Sequence, residues 1–345
     1  MSLGRSGRAP PPTDRERPDA VTSAAASRLE TLSGVAAALA DPSRHFVLTG
    51  GGGWLGRAAL EILDHVYGAD LARRVAVFGA GVKLLELRSG RRITSRPFGE
   101  IESLQRTGPT ILHFAYLTRG YAAEMPPESY LAINRGLSAT VAAAAERLGA
   151  QGLLLPSSGA VYRKDRTLDR DLAGNPYGVL KREDEERFGE LAERRGFPAV
   201  VFRIFNLSGP FMNHPSHYAL GSILSDIVAG RAIDIRADHP VIRSYAHIGD
   251  VLTLALSLLV RGEGVGPLDA AGQPAIEIGA LALRAARLLG QLDLDVRRPQ
   301  FESEQPDIYV GDSGRYEALA ETAGLRLRTL DEQIVETAAF LKETQ

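Results

Sequence analysis

Cysteine is absent from this chain of 345 residues, so disulfides, thiolate zinc sites and cysteine nucleophiles are excluded. A surplus of either charge is lacking as well. The chain has 40 Lys and Arg against 42 Asp and Glu, whereas a general nucleic-acid binder normally carries a basic excess. No apolar run approaches the roughly 20 residues that a membrane-spanning helix needs. The first 19 residues carry charge but lack the apolar core of a secretory signal. We therefore expect a cytoplasmic protein with neither a membrane nor a nucleic-acid partner.

The composition is otherwise that of a globular protein, with 44% hydrophobic and 24% charged residues. A chain of this length buries a full core and is expected to divide into two lobes. Short apolar strands alternate with helical stretches of roughly 10–20 residues, which predicts an α/β fold with a doubly wound parallel sheet. The predicted strands are His45–Thr49, Arg74–Phe78, Thr110–Tyr116, Gly152–Pro156 and Ala199–Phe205. The expected order is a disordered tail (1–19), an N-terminal helix (20–42), a dinucleotide-binding Rossmann domain (43–209), and a smaller mixed substrate lobe (210–345) with some segments returning to the Rossmann domain.

A glycine-rich turn joins the first predicted strand to the first predicted helix of the Rossmann domain, Arg57–Val66. Residues 49–56 read TGGGGWLG, which fits G-x-G-x-x-G from Gly51 or G-x-x-G-x-x-G from Gly50. Glycines allow a sharp turn and let a pyrophosphate approach the positive N-terminus of the helix. A purely structural turn could use the same residues, but the position directly after the first buried strand favours dinucleotide binding.

The choice between NAD and NADP depends on the end of the second strand. An acidic residue there normally binds the ribose 2′-hydroxyl of NAD. This chain has Phe78-Gly79-Ala80-Gly81 instead, followed by Lys83. The missing carboxylate removes repulsion against a 2′-phosphate, so the sequence favours NADP slightly, although a backbone contact would still allow NAD.

A second signal lies in the segment Asn175–Lys181 (NPYGVLK). Its first two residues suit a helix N-cap and the first helical position, which places Tyr177 and Lys181 four residues apart on one helix face. A lysine ammonium and a helix N-terminus both favour the phenolate, so we expect a lowered pKa and acid/base chemistry at Tyr177. Ser157 and Ser158 lie about twenty residues earlier, at the end of a strand, and offer a hydroxyl to a substrate oxygen. Tyr-x-x-x-Lys pairs also arise by chance, but the glycine turn upstream makes the catalytic interpretation the stronger one.

In this order the motifs resemble those of the extended short-chain dehydrogenases/reductases, also known as NAD-dependent epimerases/dehydratases. The resemblance extends from about Phe46 to Leu341. The matching motifs are Gly50, Gly53 and Gly56, the strand end His113–Tyr116, the helix residue Asn134, Ser157–Tyr162 with its catalytic serine at Ser158, Tyr177 with Lys181, Arg203–Asn206, and Arg243–Asp250.

The resemblance implies a hydride-transfer enzyme in which Ser158, Tyr177 and Lys181 are catalytic. In sugar-nucleotide epimerases the counterparts of Asn206 and Arg243 contact the substrate, and the arginine grips a phosphate. A nucleoside-diphosphate sugar is therefore the expected substrate, with an internal ion pair of Arg243 to Asp238 or Asp250 as the structural alternative. Relatives also pair two helices at a dimer interface, which implies a homodimer. The implied cofactor contacts are Gly50, Gly53, Trp54, Leu55, Gly56, Phe78, Gly79, Phe114, Ala115, Tyr116, Asn134, Tyr177 and Lys181.

Departures from the family pattern narrow the reaction. Dehydratases and decarboxylases of the family keep a carboxylate directly after the catalytic hydroxyl residue, where this chain has Gly159 and Ala160. Oxidation, reduction or epimerisation through a transient ketone therefore remain. Two alternatives stay open: an NADPH-dependent reductase of a non-nucleotide carbonyl metabolite, and a catalytically silent dinucleotide-binding module.

Histidines and a run of charged residues are further candidates for functional groups. His214 and His217 open the second lobe, and His217 is a candidate substrate contact or auxiliary acid/base, although ordinary loop polarity is the simpler explanation. The seven histidines form no tight cluster with carboxylates at ligand spacing, so no metal is expected. The charge run Lys181–Arg187 (KREDEER) is expected to be a solvated helix face.

Overall fold

The computed structural model describes residues 32–344. The helices are α1 (Ser33–Leu39), α2 (Trp54–Tyr67), α3 (Leu71–Arg74), α4 (Pro127–Leu148), α5 (Pro176–Arg195), α6 (Ala219–Val228), α7 (Ile248–Val260), α8 (Ile278–Leu288), α9 (Gly314–Thr322) and α10 (Leu330–Thr344). The strands are β1 (Phe46–Thr49), β2 (Val75–Gly79), β3 (Lys83–Glu86), β4 (Arg92–Pro97), β5 (Thr110–His113), β6 (Gly152–Ser158), β7 (Ala199–Ile204), β8 (Leu207–Ser208), β9 (Ile233–Asp234), β10 (Val241–Arg243), β11 (Ala246–His247), β12 (Val265–Ala270), β13 (Ile276–Glu277), β14 (Val296–Arg297) and β15 (Asp307–Tyr309). Short 3-10 helices cover Gly68–Asp70, Phe98–Ser103, Arg119–Ala123, Gly159–Val161 and Pro215–His217.

The structure describes only the end of the segment in which the sequence predicts an N-terminal helix. The expected tail (1–19) and most of the expected helix (20–42) lie outside the described residues. The remainder is α1, whose buried Val35 and Leu39 face the core. α1 packs against α7, one of the helices that cover the main sheet.

Eight strands form the main sheet in the order β12-β7-β6-β5-β1-β2-β4-β3. Neighbouring strands pair in parallel, except that β3 and β4 form an antiparallel hairpin. The chain starts at β1, moves outward through β2, and then returns to β5 on the other side of β1. The winding direction therefore reverses between β1 and β5, and open α/β sheets bind ligands at the strand carboxyl ends beside such a reversal. The predicted doubly wound parallel sheet is confirmed.

Helices cover both faces of this sheet because side chains of a strand point alternately to its two faces. In β1, Leu48 packs into an apolar layer with residues of α2 and α7. Its neighbour Val47 packs into a second layer with residues of α4 and α5. All residues of β1 are buried, which explains why this strand reads as a continuous apolar run.

The chain beyond β7 divides between the main sheet and a smaller lobe. β12 returns to the edge of the main sheet, where it pairs with β7. The lobe contains the small sheets β13-β10-β15, β11-β8 and β14-β9, and α6 packs against α8 and α10. The parallel pair β10 and β15 places Arg243 opposite Tyr309.

Two local features differ from the sequence expectations. The predicted strand Thr110–Tyr116 ends at His113, so the last three residues leave the sheet as a loop. The hairpin β3–β4 was not expected, because its few buried side chains, such as the facing Leu85 and Ile93, alternate with exposed charged residues. Within residues 32–344 no helix is both long and apolar enough to cross a membrane.

Candidate active site

The glycine turn between β1 and α2 leaves no room for a Cβ against the backbone at Gly50 and Gly56, and a Cβ at Gly51 would lie 2.7 Å from the Val77 side chain. Gly50 has a φ of +75°, and a Cβ there would lie 2.6 Å from the Ala115 backbone nitrogen. A Cβ at Gly56 would lie 2.1 Å from the Gly50 carbonyl oxygen. At Gly53 the nearest atom to a Cβ would be that same oxygen at 3.4 Å, an ordinary contact. The first and last glycines are thus required by the fold, whereas the open side of Gly53 leaves space for a ligand.

The N-terminus of α2 follows directly. Gly53 is its N-cap, and the helix starts with Trp54 and Leu55. The Trp54 indole is buried and donates a hydrogen bond of 2.7 Å to the Pro210 carbonyl oxygen, which ties the turn to the chain after β7. The backbone N–H groups of a first helical turn have no acceptor within the helix, so they suit a phosphate. The turn therefore fits the pyrophosphate of a dinucleotide.

The end of β2 carries cationic and hydroxyl side chains. A Cβ at Gly79 would lie 2.9 Å from the Ser95 hydroxyl oxygen of the neighbouring strand β4. Arg96 pairs opposite Phe78, and its guanidinium carbon lies 4.5 Å from the centroid of that ring. Lys83, at the start of β3, is exposed to solvent.

The two serines at the end of β6 face different surroundings. Ser157 donates a hydrogen bond to the buried Glu185 carboxylate. The Ser158 hydroxyl oxygen accepts the Ala160 N–H at 3.1 Å and lies 3.2 Å from the Tyr309 hydroxyl. Ser158 therefore faces the site between the lobes, and Ser157 faces the interior.

Tyr177 lies in the first turn of α5, beside Ser158. Asn175 caps this helix by accepting the Gly178 N–H at 3.0 Å, and Pro176 is the first helical residue. Burial raises the pKa of the Tyr177 phenol above its usual value, while the Ser158 hydroxyl acts in the opposite direction. This direction is opposite to the sequence expectation of a lowered pKa, and it makes Tyr177 a protonated hydrogen-bond donor at neutral pH.

Lys181 lies one helical turn further along α5 and is 7% exposed. Its Nζ donates a hydrogen bond of 3.1 Å to the Pro156 carbonyl oxygen and lies 3.5 Å from the centroid of the Tyr116 ring. That ring in turn meets the Tyr177 ring edge-on, with centroids 6.0 Å apart. Burial lowers the pKa of Lys181 to about 8, while nearby carboxylates oppose the shift.

The loop after β5 forms the wall next to the glycine turn. The carbonyl carbon of Phe114 would lie 2.7 Å from a Cβ at Gly50. The buried Asn134 of α4 accepts the Leu117 N–H at 2.9 Å, so its amide holds this loop in place. The ring of His113, at the end of β5, is buried beneath the loop, and burial lowers its pKa to about 3.

The second lobe brings Arg243 and Tyr309 to the site. The Arg243 guanidinium carbon lies 6.0 Å from the centroid of the Tyr309 ring, and a nitrogen lies 2.7 Å from the Asp307 carboxylate. The internal partner of Arg243 is thus Asp307, whereas Asp238 pairs with His239 and Asp250 with Arg328. Asn206 donates a hydrogen bond of 2.9 Å to the Ser244 carbonyl oxygen.

His214 and His217 stack with ring centroids 5.3 Å apart, and both are exposed. The ring centroid of the next residue, Tyr218, lies 5.2 Å from that of Trp54, so this loop borders the glycine turn. Tyr218 also contributes to the raised pKa of Tyr177, so it lies near the catalytic groups as well. In the described part of the chain no three or more histidine, aspartate or glutamate side chains are grouped to hold a metal ion.

Sequence reasoning missed two residues near the catalytic groups, Tyr309 and Asp184. Tyr309 lies in a strand of three residues whose pairing with β10 has no local sequence signal. Asp184 belongs to the run Lys181–Arg187, and the expectation that this run is a solvated face is wrong for part of it. Lys181, Asp184 and Glu185 are at most 7% exposed, because this face of α5 packs against β6 and α4.

Known proteins share this architecture. A UDP-N-acetylglucosamine 4-epimerase from Methanobrevibacter ruminantium, solved with UDP-N-acetylmuramic acid, superposes with a TM-score of 0.68 at 20% identity, over 87% of this chain and 99% of that one. A UDP-glucose 4-epimerase from Brucella ovis, solved with NAD, gives 0.66 at 19% identity over 87% and 98%. The RMD protein of Pseudomonas aeruginosa, solved with NADPH, gives 0.63 at 19% identity over 87% and 100%. At these identities the likeness shows the fold alone.

No curated protein sequence matches this chain. Residues 46–269 match the family model described as the NAD dependent epimerase/dehydratase family. This match covers the glycine turn, the Ser158, Tyr177 and Lys181 positions, and the return of β12 to the main sheet. The chain therefore belongs to the NAD-dependent epimerase/dehydratase family.

Proposed function

We propose that this protein is an NAD(P)-dependent epimerase or ketone reductase that acts on a nucleotide-linked sugar. The observation that carries the proposal is that the Ser158 hydroxyl acts on the Tyr177 phenol at the carboxyl ends of the parallel strands, with Lys181 one helical turn further along α5. A hydroxyl, a phenol and a cation in one cleft are the groups needed to move a proton to or from a carbinol oxygen.

Each catalytic side chain has a separate task in this proposal. A bound nicotinamide dinucleotide supplies the hydride acceptor or donor. Ser158 orients the substrate oxygen, and Tyr177 exchanges a proton with it. A phenol is protonated at neutral pH even at its ordinary pKa, and burial raises the pKa of Tyr177 further, so the resting group is in the form that donates to a ketone oxygen. This form serves the reduction of a ketone directly. An epimerisation of a carbinol would begin instead with oxidation, in which deprotonated Tyr177 accepts the hydroxyl proton and the dinucleotide would take the hydride, and it would end with the reverse transfer to the other face of the ketone.

Steric crowding after Ser158 argues against water elimination. A Cβ at Gly159 would lie 2.5 Å from a ring carbon of Phe205. The carboxylate that family dehydratases keep after the catalytic hydroxyl residue would need Phe205 to move. This supports the sequence argument for oxidation, reduction or epimerisation.

The residues at the end of β2 support a preference for NADP over NAD as the cofactor. Ser95 and Arg96 lie beside Gly79 and Phe78, and Lys83 follows. A hydroxyl and cations suit a 2′-phosphate better than they suit a bare hydroxyl, because charge-assisted hydrogen bonds to phosphate are strong. The open side of Gly53 and the start of α2 would hold the pyrophosphate.

The proposed substrate reaches from Ser158 toward Arg243. Tyr309 lies between them, in contact with the Ser158 hydroxyl and next to the guanidinium. A guanidinium binds a diphosphate in bidentate fashion, so Arg243 would exchange its Asp307 partner for the ligand. Asn206 would contact the same substrate.

The proposed assembly is a homodimer through α4 and α5. A groove of about 610 Å³ runs between these helices. Three alanines, one leucine and six charged residues line it, which permits close helix approach together with polar pairs. The lining residues are Ala139, Ala142, Ala143, Glu146, Glu183, Glu186, Arg187, Glu190, Leu191 and Arg194.

One observation favours a second candidate, the reductase of a non-nucleotide carbonyl. Asp307 already neutralises Arg243 at 2.7 Å, so the second lobe does not require an anionic ligand there. A small neutral ketone would use only Ser158 and Tyr177.

The deciding experiment uses two steps. First, thermal stability is measured with NAD(H) or NADP(H) present and with UDP, dTDP, GDP or CDP added. A nucleotide-sugar enzyme should be stabilised by at least one of the four nucleoside diphosphates. If none of them stabilises the protein, the result supports the second candidate, a reductase of a non-nucleotide carbonyl. Second, sugars linked to the stabilising nucleotide are tested for turnover. Tyr177→Phe serves as the control, and it should lose at least about 100-fold in turnover while retaining cofactor binding. Near-wild-type turnover in that variant would contradict the proposed role of Tyr177 in proton transfer.

A further inference from the structure

Four buried polar atoms near Lys181 or its neighbour Asp184 have no hydrogen-bond partner in the described part of the chain. They are His113 Nε2, the Tyr116 hydroxyl, Ser138 Oγ and Asp184 Oδ2. They come from β5, the loop after it, α4 and α5, so tertiary packing brings them together. Buried polar groups in native proteins are nearly always satisfied, and a local concentration of unsatisfied ones requires an explanation.

The charge of Lys181 itself needs a partner. Its side chain is 7% exposed, and among residues 32–344 its one hydrogen-bond acceptor is a carbonyl oxygen at 3.1 Å. The face of the Tyr116 ring, 3.5 Å from Nζ, adds a cation–π contact but no negative charge. A buried ammonium without a counter-ion is costly, so a carboxylate must lie nearby.

Two carboxylates on α5, Asp184 and Glu185, act on Lys181 by raising its pKa against the effect of burial. Glu185 is already engaged, because it forms hydrogen bonds of 2.8 and 2.5 Å with Arg203 and also accepts the Ser157 hydroxyl. Asp184 is 4% exposed and lies three residues after Lys181, a spacing that makes helix side chains neighbours. Its Oδ2 is one of the four atoms without a hydrogen-bond partner, and the nearby Ser138 hydroxyl lowers the pKa of this carboxyl less than Lys181 does. Asp184 is therefore the carboxylate that is available to balance the charge of Lys181.

We propose that Asp184 is the buried counter-ion and positioning residue of Lys181, with the Tyr116 hydroxyl as the donor that holds the Asp184 carboxylate. Tyr116 covers the ammonium with its ring and has an unpartnered hydroxyl of its own. The three side chains thus form one buried unit behind Tyr177, and Asp184 acts on the reaction only through Lys181. The catalytic meaning of this unit rests on the proposed function, but the pairing itself does not.

Electrostatic effects within the cluster agree with this geometry. Burial raises the pKa of Asp184, and the opposing effect of Lys181 is larger than that of the other neighbours. Burial also raises the pKa of Tyr116, and the charge of Asp184 adds to it. The titratable and charged groups that face this unit are Tyr177, Glu183, Glu185 and Arg187 on α5, His113 on β5, and Arg135 and Tyr130 on α4.

The chain offers a direct test because it contains only four lysines, Lys83, Lys164, Lys181 and Lys342. Protein labelled with ¹³C-lysine should give four Cε signals whose shifts follow protonation, and Lys181→Arg identifies the buried one. In the wild type this signal should titrate with a midpoint near pH 8, which distinguishes it from the signals of the three exposed lysines. In Asp184→Asn the midpoint should fall by about one pH unit or more, as expected when an opposite charge at close range is removed.

Two further variants separate this effect from general ones. Glu183→Gln removes the neighbouring carboxylate, which pairs with Arg135 at the helix surface, and it should leave the midpoint nearly unchanged. Tyr116→Phe keeps the ring over the ammonium but deletes the hydroxyl. It should therefore lower the Lys181 midpoint, but by less than Asp184→Asn does. This conservative variant carries the test if Asp184→Asn does not fold.

A Lys181 midpoint that is the same in wild type, Asp184→Asn and Tyr116→Phe would overturn the proposal, as would an equal fall in Glu183→Gln. The measurement needs no substrate. A failure of the sugar-nucleotide assignment would therefore leave its result intact, and the two failures remain distinguishable.

Discussion

Alanine at position 53 would separate a glycine turn that binds a dinucleotide from one that only turns the chain. The backbone there is extended (φ −80°, ψ 170°), so alanine can adopt it, and the new methyl would approach the Gly50 oxygen only to 3.4 Å. We expect the fold to lose at most about 1 kcal/mol, the scale for an N-cap change from glycine to alanine. The methyl would, however, occupy the side from which the pyrophosphate approaches. An overpacked contact costs about 1–3 kcal/mol, which corresponds to roughly a 5- to 150-fold loss in dinucleotide affinity.

Two matched glycines provide the controls. In Gly56→Ala the methyl would lie 2.1 Å from the Gly50 carbonyl oxygen, so the turn itself must shift and stability should fall by about 3 kcal/mol or more. In Gly52→Ala a Cβ would meet no described atom within 4 Å, so stability should stay unchanged. The three variants carry the same chemical change and differ only in what the methyl meets.

The assay pairs calorimetric titration with NADH and NADPH against urea unfolding. The expected pattern is weakened binding with intact stability at position 53, and lost stability at position 56. If Gly53→Ala bound both dinucleotides as tightly as the wild type, the turn would be structural and the cofactor assignment would fail.

Three other predictions concern the cofactor, the substrate and pH. Because Gly79 stands beside Ser95 and Arg96, NADP(H) should bind at least as tightly as NAD(H) in calorimetry, and a large NAD preference would show that another group contacts the ribose. Arg243→Ala should weaken binding of the stabilising nucleoside diphosphate by roughly 1.5–3 kcal/mol while cofactor affinity stays unchanged, and equal loss of both would contradict separate sites. The pKa of Lys181 is lowered to about 8 from the usual 10.5, so between these pH values the unfolded chain binds more protons than the folded one. The wild type should therefore gain unfolding free energy relative to Lys181→Met as pH rises through this window, by up to about 1.4 kcal/mol per pH unit, and a flat difference in urea titrations would contradict the buried charge.

The direction of the Tyr177 pKa shift could not be predicted from the local sequence. The spacing of Tyr177 and Lys181 places both on one face of α5, and the sequence argument then lets the lysine lower the pKa of the phenol. In the folded protein the ammonium lies against the Tyr116 ring and the Pro156 carbonyl oxygen, and burial dominates at Tyr177. Burial depends on residues far away in the chain, so no local pattern could supply it.

The sequence by itself determined what depends on local order along the chain. Apolar runs alternating with helical stretches predict the parallel sheet, because a strand buried on both faces must be apolar throughout. The glycine turn follows from its position between β1 and α2, since residues with a side chain rarely adopt the φ of +75° found at Gly50. The Asn175 cap and the Tyr177–Lys181 spacing are set within one helix.

Only the tertiary structure decided which distant residues complete the site. Tyr309 reaches Ser158 across 151 positions of the chain, and Arg243 meets Asp307 across 64. The charge run at Lys181–Arg187 reads as solvated because charged residues usually face water, yet packing against β6 and α4 buries Lys181, Asp184 and Glu185. Contacts between remote segments and the burial they produce are properties of the assembled layers, which is why the site's partners and electrostatics appear only once the chain has folded.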